Sequence, residues 1–371
     1  MPRTAGAERR YRMNSNQYAN KDNRVRFLIM LISVATVLLV VCLLILVIHN
    51  VSGSGTKPSG TDDQDGKNFK INYTTITKAT SDVKTGNLVL VNGSHAFTFP
   101  EKEEGLISMY TYRQNNPVPK LNGSGSVYQL ADTSIRLREP AASQIHNMLV
   151  KFYEHSGNTN VNITSAYRTY DEQKNLASSI AAGYSDSHTG LACALRTYDG
   201  QKAGELKGDL ATYGWIFDHC YEFGFIVRYP DGHDAHTGIS NYTNYFRYVG
   251  YPHAWYMTHG TAGSDSAQTE AQTSAQTTTT GTQTPAAQEP VSGSQTAIYC
   301  LEDYLTLLKQ YPYSGKHLRF KADNGITYEI YYVPASTGKE LTEIPVPQDS
   351  TYTYEISGDN DSGFIVTVTL G

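Results

Sequence analysis

Several side chains whose types and spacing could do chemistry lie in short polar segments in the middle third of this 371-residue chain. Ser187 stands beside His188, the residue types of a nucleophile and its base. Neighbours in an extended chain point to opposite faces, and no G-x-S-x-G elbow is present, so a serine hydrolase site is poorly supported. His233 and His236 form an H-D-A-H group. With His188 they make the one set of imidazoles that an improvised metal site would draw on, although loop histidines ordinarily face solvent. Cys42 falls in an apolar run, which leaves Cys193, Cys220 and Cys300. Three is an odd number and no C-x-x-C pair occurs, so neither a disulfide framework nor a cysteine-based zinc site is indicated, and one disulfide among the three stays open.

The elements that must position these groups follow from periodicity. Glu139 to His155 reads as a helix with Pro140 in its first turn and Ile145, Met148, Leu149 and Phe152 on one face. Val161 to Thr164 reads as a strand, Asp171 to Ala182 and Trp215 to Phe223 as helices, and Phe225 to Tyr229 as a strand ended by Pro230-Asp231-Gly232. Structure is expected to begin at a short apolar strand, Asn87 to Val91. Helices alternating with short strands give an α+β class. Beyond residue 297, Ile298, Leu301, Leu305 and Leu308 mark an amphipathic helix. The alternating segments His317–Ala322, Ile326–Pro334, Thr351–Ser357 and Phe364–Leu370 follow it, with turns at Asp323-Asn324-Gly325 and Gly358-Asp359-Asn360. They predict a small C-terminal antiparallel β unit.

Three segments together resemble the VanY-type zinc D-alanyl-D-alanine carboxypeptidases. Ser165-Ala-Tyr-Arg168-Thr-Tyr170-Asp-Glu-Gln173 is similar to the family's S-x-Y-R-S/T-x-x-x-Q. Ser185-Asp-Ser-His-Thr-Gly190-Leu-Ala192-Cys-Ala194 stands where the family has S-x-H-x-x-G-x-A-x-D. Gly224-Phe-Ile-Val-Arg228-Tyr-Pro230, Thr237-Gly-Ile239, Phe246-Arg-Tyr-Val-Gly250 and His253-Ala254 resemble G-F-x-x-R-Y-P, T-G-I, Y-E-P-W-H-F-R-Y-V-G and H-A. The order is kept and so is the spacing within each motif. The resemblance implies a VanY-like, hedgehog-type α+β peptidase fold. It also implies a zinc held by His, Asp and His, with a Glu as general base that takes the proton of the zinc-bound water.

Placed residue by residue, the first ligand falls on Ser187, the Asp on Ala194, the second His on Tyr245 and the Glu on Tyr242. No zinc is therefore expected at these positions and catalysis is not expected from them. Ser165, Arg168 and Gln173 match the residues that the family uses to hold substrate, and an arginine there can take a terminal carboxylate with two charge-assisted bonds. The competing reading is that Arg168 pairs with an acidic neighbour and only holds the fold. Arg228 and Arg247 read as structural. Tyr242 and Tyr245 either plug the vacated volume or offer a stacking floor.

Phe27 to Ile48 is an apolar run broken only by Ser33, Thr36 and Cys42. Its 22 residues reach about 33 Å as a helix, enough for a hydrocarbon core of about 30 Å. No small-residue cleavage site follows, so the run reads as a retained anchor and not a signal peptide. Arg3, Arg9, Arg10, Arg12, Lys21, Arg24 and Arg26 precede it, while Asp62, Asp63 and Asp65 follow with only Lys57 and Lys67. The positive-inside rule then puts the N-terminus in the cytoplasm and the main domain outside.

The expected organisation is a cytoplasmic segment 1–26, a transmembrane helix 27–48, a stalk 49–85 and a carboxypeptidase-like domain 86–259. A disordered Thr/Ala/Gln-rich linker 260–296 and the unit 297–371 complete it. A net charge of −5 without a basic tract argues against nucleic acid. The 28 tyrosines suit half-buried strands as well as sugar or peptide surfaces. The resemblance implies a bacterial cell envelope, with peptidoglycan stem peptide or an envelope protein as partner. Three readings stay open: a zinc-less binding protein, an active zinc D,D-carboxypeptidase with a rearranged site, and a scaffold acting through its C-terminal β unit.

Overall fold

The computed structural model describes residues 70–118, 125–240, 242–260 and 300–371. The apolar run 27–48 and nearly all of the 260–296 segment lie outside these residues. Among the described residues no helix is long and apolar enough to cross a membrane.

In chain order the elements begin with β1 (Tyr73–Ala79), β2 (Leu106–Ser108), α1 (Met109–Asn115), β3 (Gln129–Leu130), β4 (Arg136–Arg138) and α2 (Ala141–Ser156). Then come β5 (Val161–Ser165), α3 (Tyr170–Lys174), β6 (Ala192–Tyr198), β7 (Ala203–Gly204), α4 (Leu210–His219), β8 (Phe225–Val227), α5 (Asp234–Thr237), β9 (Tyr245–Tyr248) and α6 (Tyr251–His259). The last part holds α7 (Leu301–Leu308), β10 (Leu318–Lys321), β11 (Thr327–Pro334), β12 (Leu341–Pro347), β13 (Thr353–Gly358) and β14 (Gly363–Thr369).

The central sheet has the order β3-β5-β6-β9-β8, with β7 on β6. Only β3–β5 is parallel. Alternation along its strands separates two faces. Cys193 and Leu195 of β6 and Phe246 and Tyr248 of β9 join the core under α2, with Ile145, Met148, Leu149 and Phe152. Ala192, Ala194 and Tyr245 face the other way, into a small cluster with Tyr229. That second face carries the site.

The α+β class and the C-terminal antiparallel sheet agree with the sequence reading; the sheet has the order β10-β11-β14-β13. Several boundaries differ. Residues 49–85 are expected to be stalk, yet Tyr73–Ala79 form a strand paired along its whole length with β12, and Thr80–Lys84 a 3-10 turn. β12 lies outside the expected strands, and it tolerates Pro345 and Pro347 because an edge strand needs no amide donor on its open side. It pairs on one side only, and its period-2 burial of Thr342, Ile344 and Val346 defines its inner face.

The expected helix Asp171–Ala182 stops at Lys174. Thr169 and Glu172 make a capping box at its start, but Leu176 remains 47% exposed, so no apolar stripe is buried to sustain further turns. α4 starts earlier than expected because Asp209 accepts from the Thr212 amide at 3.1 Å, and Cys220–Phe223 continue it as a 3-10 turn. Leu88, Val89, Leu90 and Val91 are buried, but Asn87–Val91 forms no strand. Its carbonyls are instead taken by side chains, Asn87 and Val89 by Arg247 and Leu90 by Asn360.

The C-terminal unit is not a separate body. Leu88, Leu90, Ile226, Ala254 and Met257 share one core with Leu301, Leu305, Leu308, Ile330 and Ile365. Four charged side chains bridge the same seam, Asp186, Arg228 and Arg247 buried and Glu302 largely so. Asp186 accepts from Arg247 and, at 2.9 Å, from Arg228, and Arg228 takes Glu302 of α7 with two bonds of 2.9 and 2.7 Å. Two arginines and two carboxylates leave the group neutral, which is the condition for burying it. The structural reading of Arg228 and Arg247 thus agrees with their geometry.

Candidate functional site

Strand register puts Ser165 opposite Ala194 and Ala194 opposite Tyr245, so three of the singled-out residues form one row across β5, β6 and β9. Ser187 comes from a wholly buried 3-10 turn, Asp186–Thr189, which Gly190 ends with φ +69°. A Cβ on Gly190 would stand 2.9 Å from Arg138 Cγ, so both conformation and space call for glycine. Ser187 Oγ lies 2.6 Å from the Tyr245 hydroxyl. Arg168 Nη1 donates to Ser165 Oγ at 2.9 Å and Nη2 to Ser187 Oγ at 2.8 Å. Tyr242 stacks on Tyr245 at 5.0 Å between ring centroids, and Tyr229 stacks on both, 5.6 Å from Tyr245 and 5.9 Å from Tyr242. Tyr245 is buried and Tyr242 half-buried. Tyr245 therefore fills volume, while Tyr242 keeps part of one ring open.

These four side chains, Ser187, Ala194, Tyr242 and Tyr245, do not fit a zinc ion. Ala194 offers no donor. Burial holds the Tyr245 phenol well above its ordinary pKa and the Tyr242 phenol above its own, so neither supplies a phenolate at neutral pH. The Ser187 hydroxyl is already engaged by the Arg168 cation, which would repel a dication.

Arg168 has no carboxylate partner among the described residues; hydroxyls hold it, and its Nε is buried without a hydrogen-bond partner. The reading in which an acid neutralises Arg168 is therefore not what the geometry gives. Gln173 is buried, with Nε2 donating to the Ile180 carbonyl at 2.8 Å and Oε1 without a partner. It pins the 176–180 segment behind Arg168.

The three histidines separate. His188 accepts from the Gly183 amide at Nε2 (3.0 Å), so Nδ1 carries the proton and donates to the Arg168 carbonyl at 2.7 Å. Burial lowers its pKa, in keeping with this neutral tautomer. Both nitrogens are engaged, and His188 is no part of a metal set. His233 and His236 instead meet α7. Donor atoms of His233, Cys300 and Asp303 all lie within 4.8 Å of one another, and His236 Nδ1 is 2.6 Å from Asp303 Oδ1. Sequence reasoning named Cys300 but not Asp303, and joined neither to the histidines, because nearly seventy positions separate them, although their own i, i+3 spacing was visible. Cys193, Cys220 and Cys300 are all free thiols.

The mixed sheet backed by α2, with its polar row beside an aromatic stack, forms an α+β domain whose class the comparison with known proteins gives. Residues 134–251 match the sequence profile of the VanY family, D-alanyl-D-alanine carboxypeptidase, and form a domain of that family. A D-alanyl-D-alanine carboxypeptidase of Enterococcus faecium is 27% identical over 296 residues, covering 78% of this chain and 77% of the relative. The crystal structure of the vancomycin-resistance D,D-dipeptidase VanXYg in complex with a D-Ala-D-Ala phosphinate analogue superposes with a TM-score of 0.57 at 22% identity. It covers 81% of this chain and 100% of that one, a likeness of fold.

Proposed function

We propose that this protein is a membrane-tethered, extracytoplasmic carboxypeptidase-like protein that binds the D-Ala-terminated peptidoglycan stem peptide without hydrolysing it. The observation that carries the reading is Arg168, a half-buried cation held by Ser165 and Ser187 hydroxyls with no carboxylate among the described residues. Such a cation gains most from a ligand carboxylate. Hydrolysis is left out because Ser187, Ala194, Tyr242 and Tyr245 stand where the family resemblance places the ligands and the base.

Calorimetric titration with a peptide ending in D-Ala-D-Ala tests this. Saturable binding is expected, weakened roughly 10- to 150-fold by Arg168→Ala, since a charged hydrogen bond contributes about 1.5–3 kcal/mol. No free D-Ala should appear. Absence of binding in the folded protein removes the reading. Release of D-Ala in the presence of zinc favours an active enzyme with a rearranged metal set, for which the His233–Cys300–Asp303 group is the supporting geometry. The tether is residues 27–48, and the orientation comes from the arginines before them. Resistance of the protein to salt extraction, and proteolysis of its main domain from outside intact cells, are the expected outcomes. Protection from external protease overturns the orientation.

A further inference from the structure

We infer that His233, Cys300 and Asp303 form a binding site for a zinc-class divalent metal, with His236 orienting the Asp303 carboxylate. The site would clamp the segment after β8 onto α7, independently of whether the cleft binds peptide. Two helix starts face each other here. His233 and Cys300 occupy the N-cap positions of α5 and α7, and His236 and Asp303 follow each by three residues, so both members of each pair lie on one side of a first turn. The three donor atoms already lie within 4.8 Å of one another. Tetrahedral zinc with bonds of about 2.0–2.3 Å separates its ligands by about 3.5 Å, so the Cys300–Asp303 pair, now 3.0 Å apart, opens slightly and the His233 nitrogen moves by no more than about 1–1.5 Å.

The donor types select the metal. A thiolate with an imidazole and a carboxylate suits zinc better than calcium or magnesium, which take oxygen ligands. Cys300 also does not serve as a cap. Its side chain makes no cap bond to α7, a place where serine, threonine or aspartate is preferred. The Sγ proton points instead at Asp303 Oδ2, 3.0 Å away. A metal entering between these two atoms takes the place of that proton, which leaves to solvent. His236 bonds the other carboxylate oxygen at 2.6 Å, the part played by an outer partner that fixes a ligand's orientation. Cys300 is buried and His236 exposed, which gives the ion a dry floor and an open side.

The clamp has a defined effect on the carboxypeptidase-like cleft. The segment from β8 to β9 carries both His233 and Tyr242, and α7 carries Glu302, which bonds Arg228. An ion here ties the chain that bears Tyr242 to the helix that anchors the C-terminal sheet.

The full-length protein, purified in detergent and dialysed against zinc, should retain about one equivalent. Its cobalt-substituted form should show the near-ultraviolet thiolate-to-cobalt charge-transfer band. Cys300→Ser, a good N-cap residue that keeps the fold safe, should lose the band and the retained zinc. His236→Ala at an exposed position should weaken zinc binding about 10- to 100-fold, the range for an outer-shell partner. Ser187→Ala should leave metal content unchanged. Absence of retained zinc, or zinc unaffected by Cys300→Ser and His236→Ala, overturns the site. Zinc lost in Ser187→Ala but kept in Cys300→Ser also overturns it, and places the ion at the carboxypeptidase positions.

Discussion

Removing Glu302 should show how firmly the C-terminal unit is bound to the carboxypeptidase-like domain. The Arg228 side chain is fully buried and receives Glu302 through bonds of 2.9 and 2.7 Å, while Asp186 is shared between Arg228 and Arg247. In Glu302→Ala two buried guanidinium groups are left with one carboxylate, an excess positive charge on side chains that are themselves fully buried. Breaking a buried pair from one side costs about 3–5 kcal/mol. For a chain of this size an m-value of about 3 kcal/mol/M in urea is reasonable, so the unfolding midpoint should fall by about 1–1.7 M.

The assay is equilibrium urea unfolding followed by tryptophan fluorescence, with chelator present so that no ion at the neighbouring Cys300 and Asp303 contributes. Trp215 packs against the core under α2 and Trp255 against the core shared with α7, so their signals report the two regions. Coincident transitions are expected if both cores unfold as one cooperative unit. The double variant Arg228→Met with Glu302→Leu should cost less than the sum of its single changes, because it removes both charges together. A loss below about 1 kcal/mol for Glu302→Ala, or additive single costs in the cycle, refutes the account of a tightly coupled buried network.

Three further outcomes follow from buried groups. His253, between the Tyr304 hydroxyl at 2.8 Å and Thr367 Oγ1 at 2.9 Å, is held down to about 3 by burial. The native state keeps it neutral while the unfolded chain protonates near pH 6.5. Its stabilisation is thus complete above pH 6.5 and falls by about 1.4 kcal/mol per pH unit between 6.5 and 3, and His253→Gln should flatten that slope in denaturation series at several pH values. Gly358→Ala would place a Cβ 2.1 Å from the Val83 carbonyl oxygen, so it should destabilise by about 1–3 kcal/mol or more and loosen the 80–84 turn, seen as faster amide exchange there. Burial pushes the Cys193 and Cys220 thiols up to about 12, so both should resist a thiol reagent at neutral pH until the protein unfolds. Rapid labelling of either in the native state contradicts their placement in the core.

Local pattern carried much of the architecture. The 3.6-residue stripe of Ile145, Met148, Leu149 and Phe152 defines α2, and its buried face is the one that periodicity names. The turns at Asn324-Gly325 and Asp359-Asn360 close the hairpins β10–β11 and β13–β14, with Gly325 at φ +78° and Asn360 at φ +63°. The row Ser165, Ala194 and Tyr245 comes from the pairing of β5, β6 and β9, and neither β6 nor β9 was among the expected strands; register is fixed by which face is buried, a property of the paired sheet. Failures cluster where packing overrides pattern. The 175–182 segment has helical composition but no partner to bury against, and β12 has prolines that an edge position tolerates. Asn87–Val91 is as apolar as a strand yet receives its hydrogen bonds from arginine side chains, a solution that no window of local sequence displays.

The sequence by itself determined that Ser187, Ala194, Tyr242 and Tyr245 stand where the family resemblance points, and that Arg168 lies in the motif that precedes them. An alanine side chain carries no donor atom whatever the fold does. Only the tertiary structure decided what these residues touch. It holds Arg168 with hydroxyls and, among the described residues, without a carboxylate partner, turns His188 inward with both nitrogens engaged, and brings Cys300 and Asp303 from a distant helix to His233. Contacts of that kind join residues tens of positions apart, and they are fixed by how buried faces and buried charges must be matched across the whole molecule.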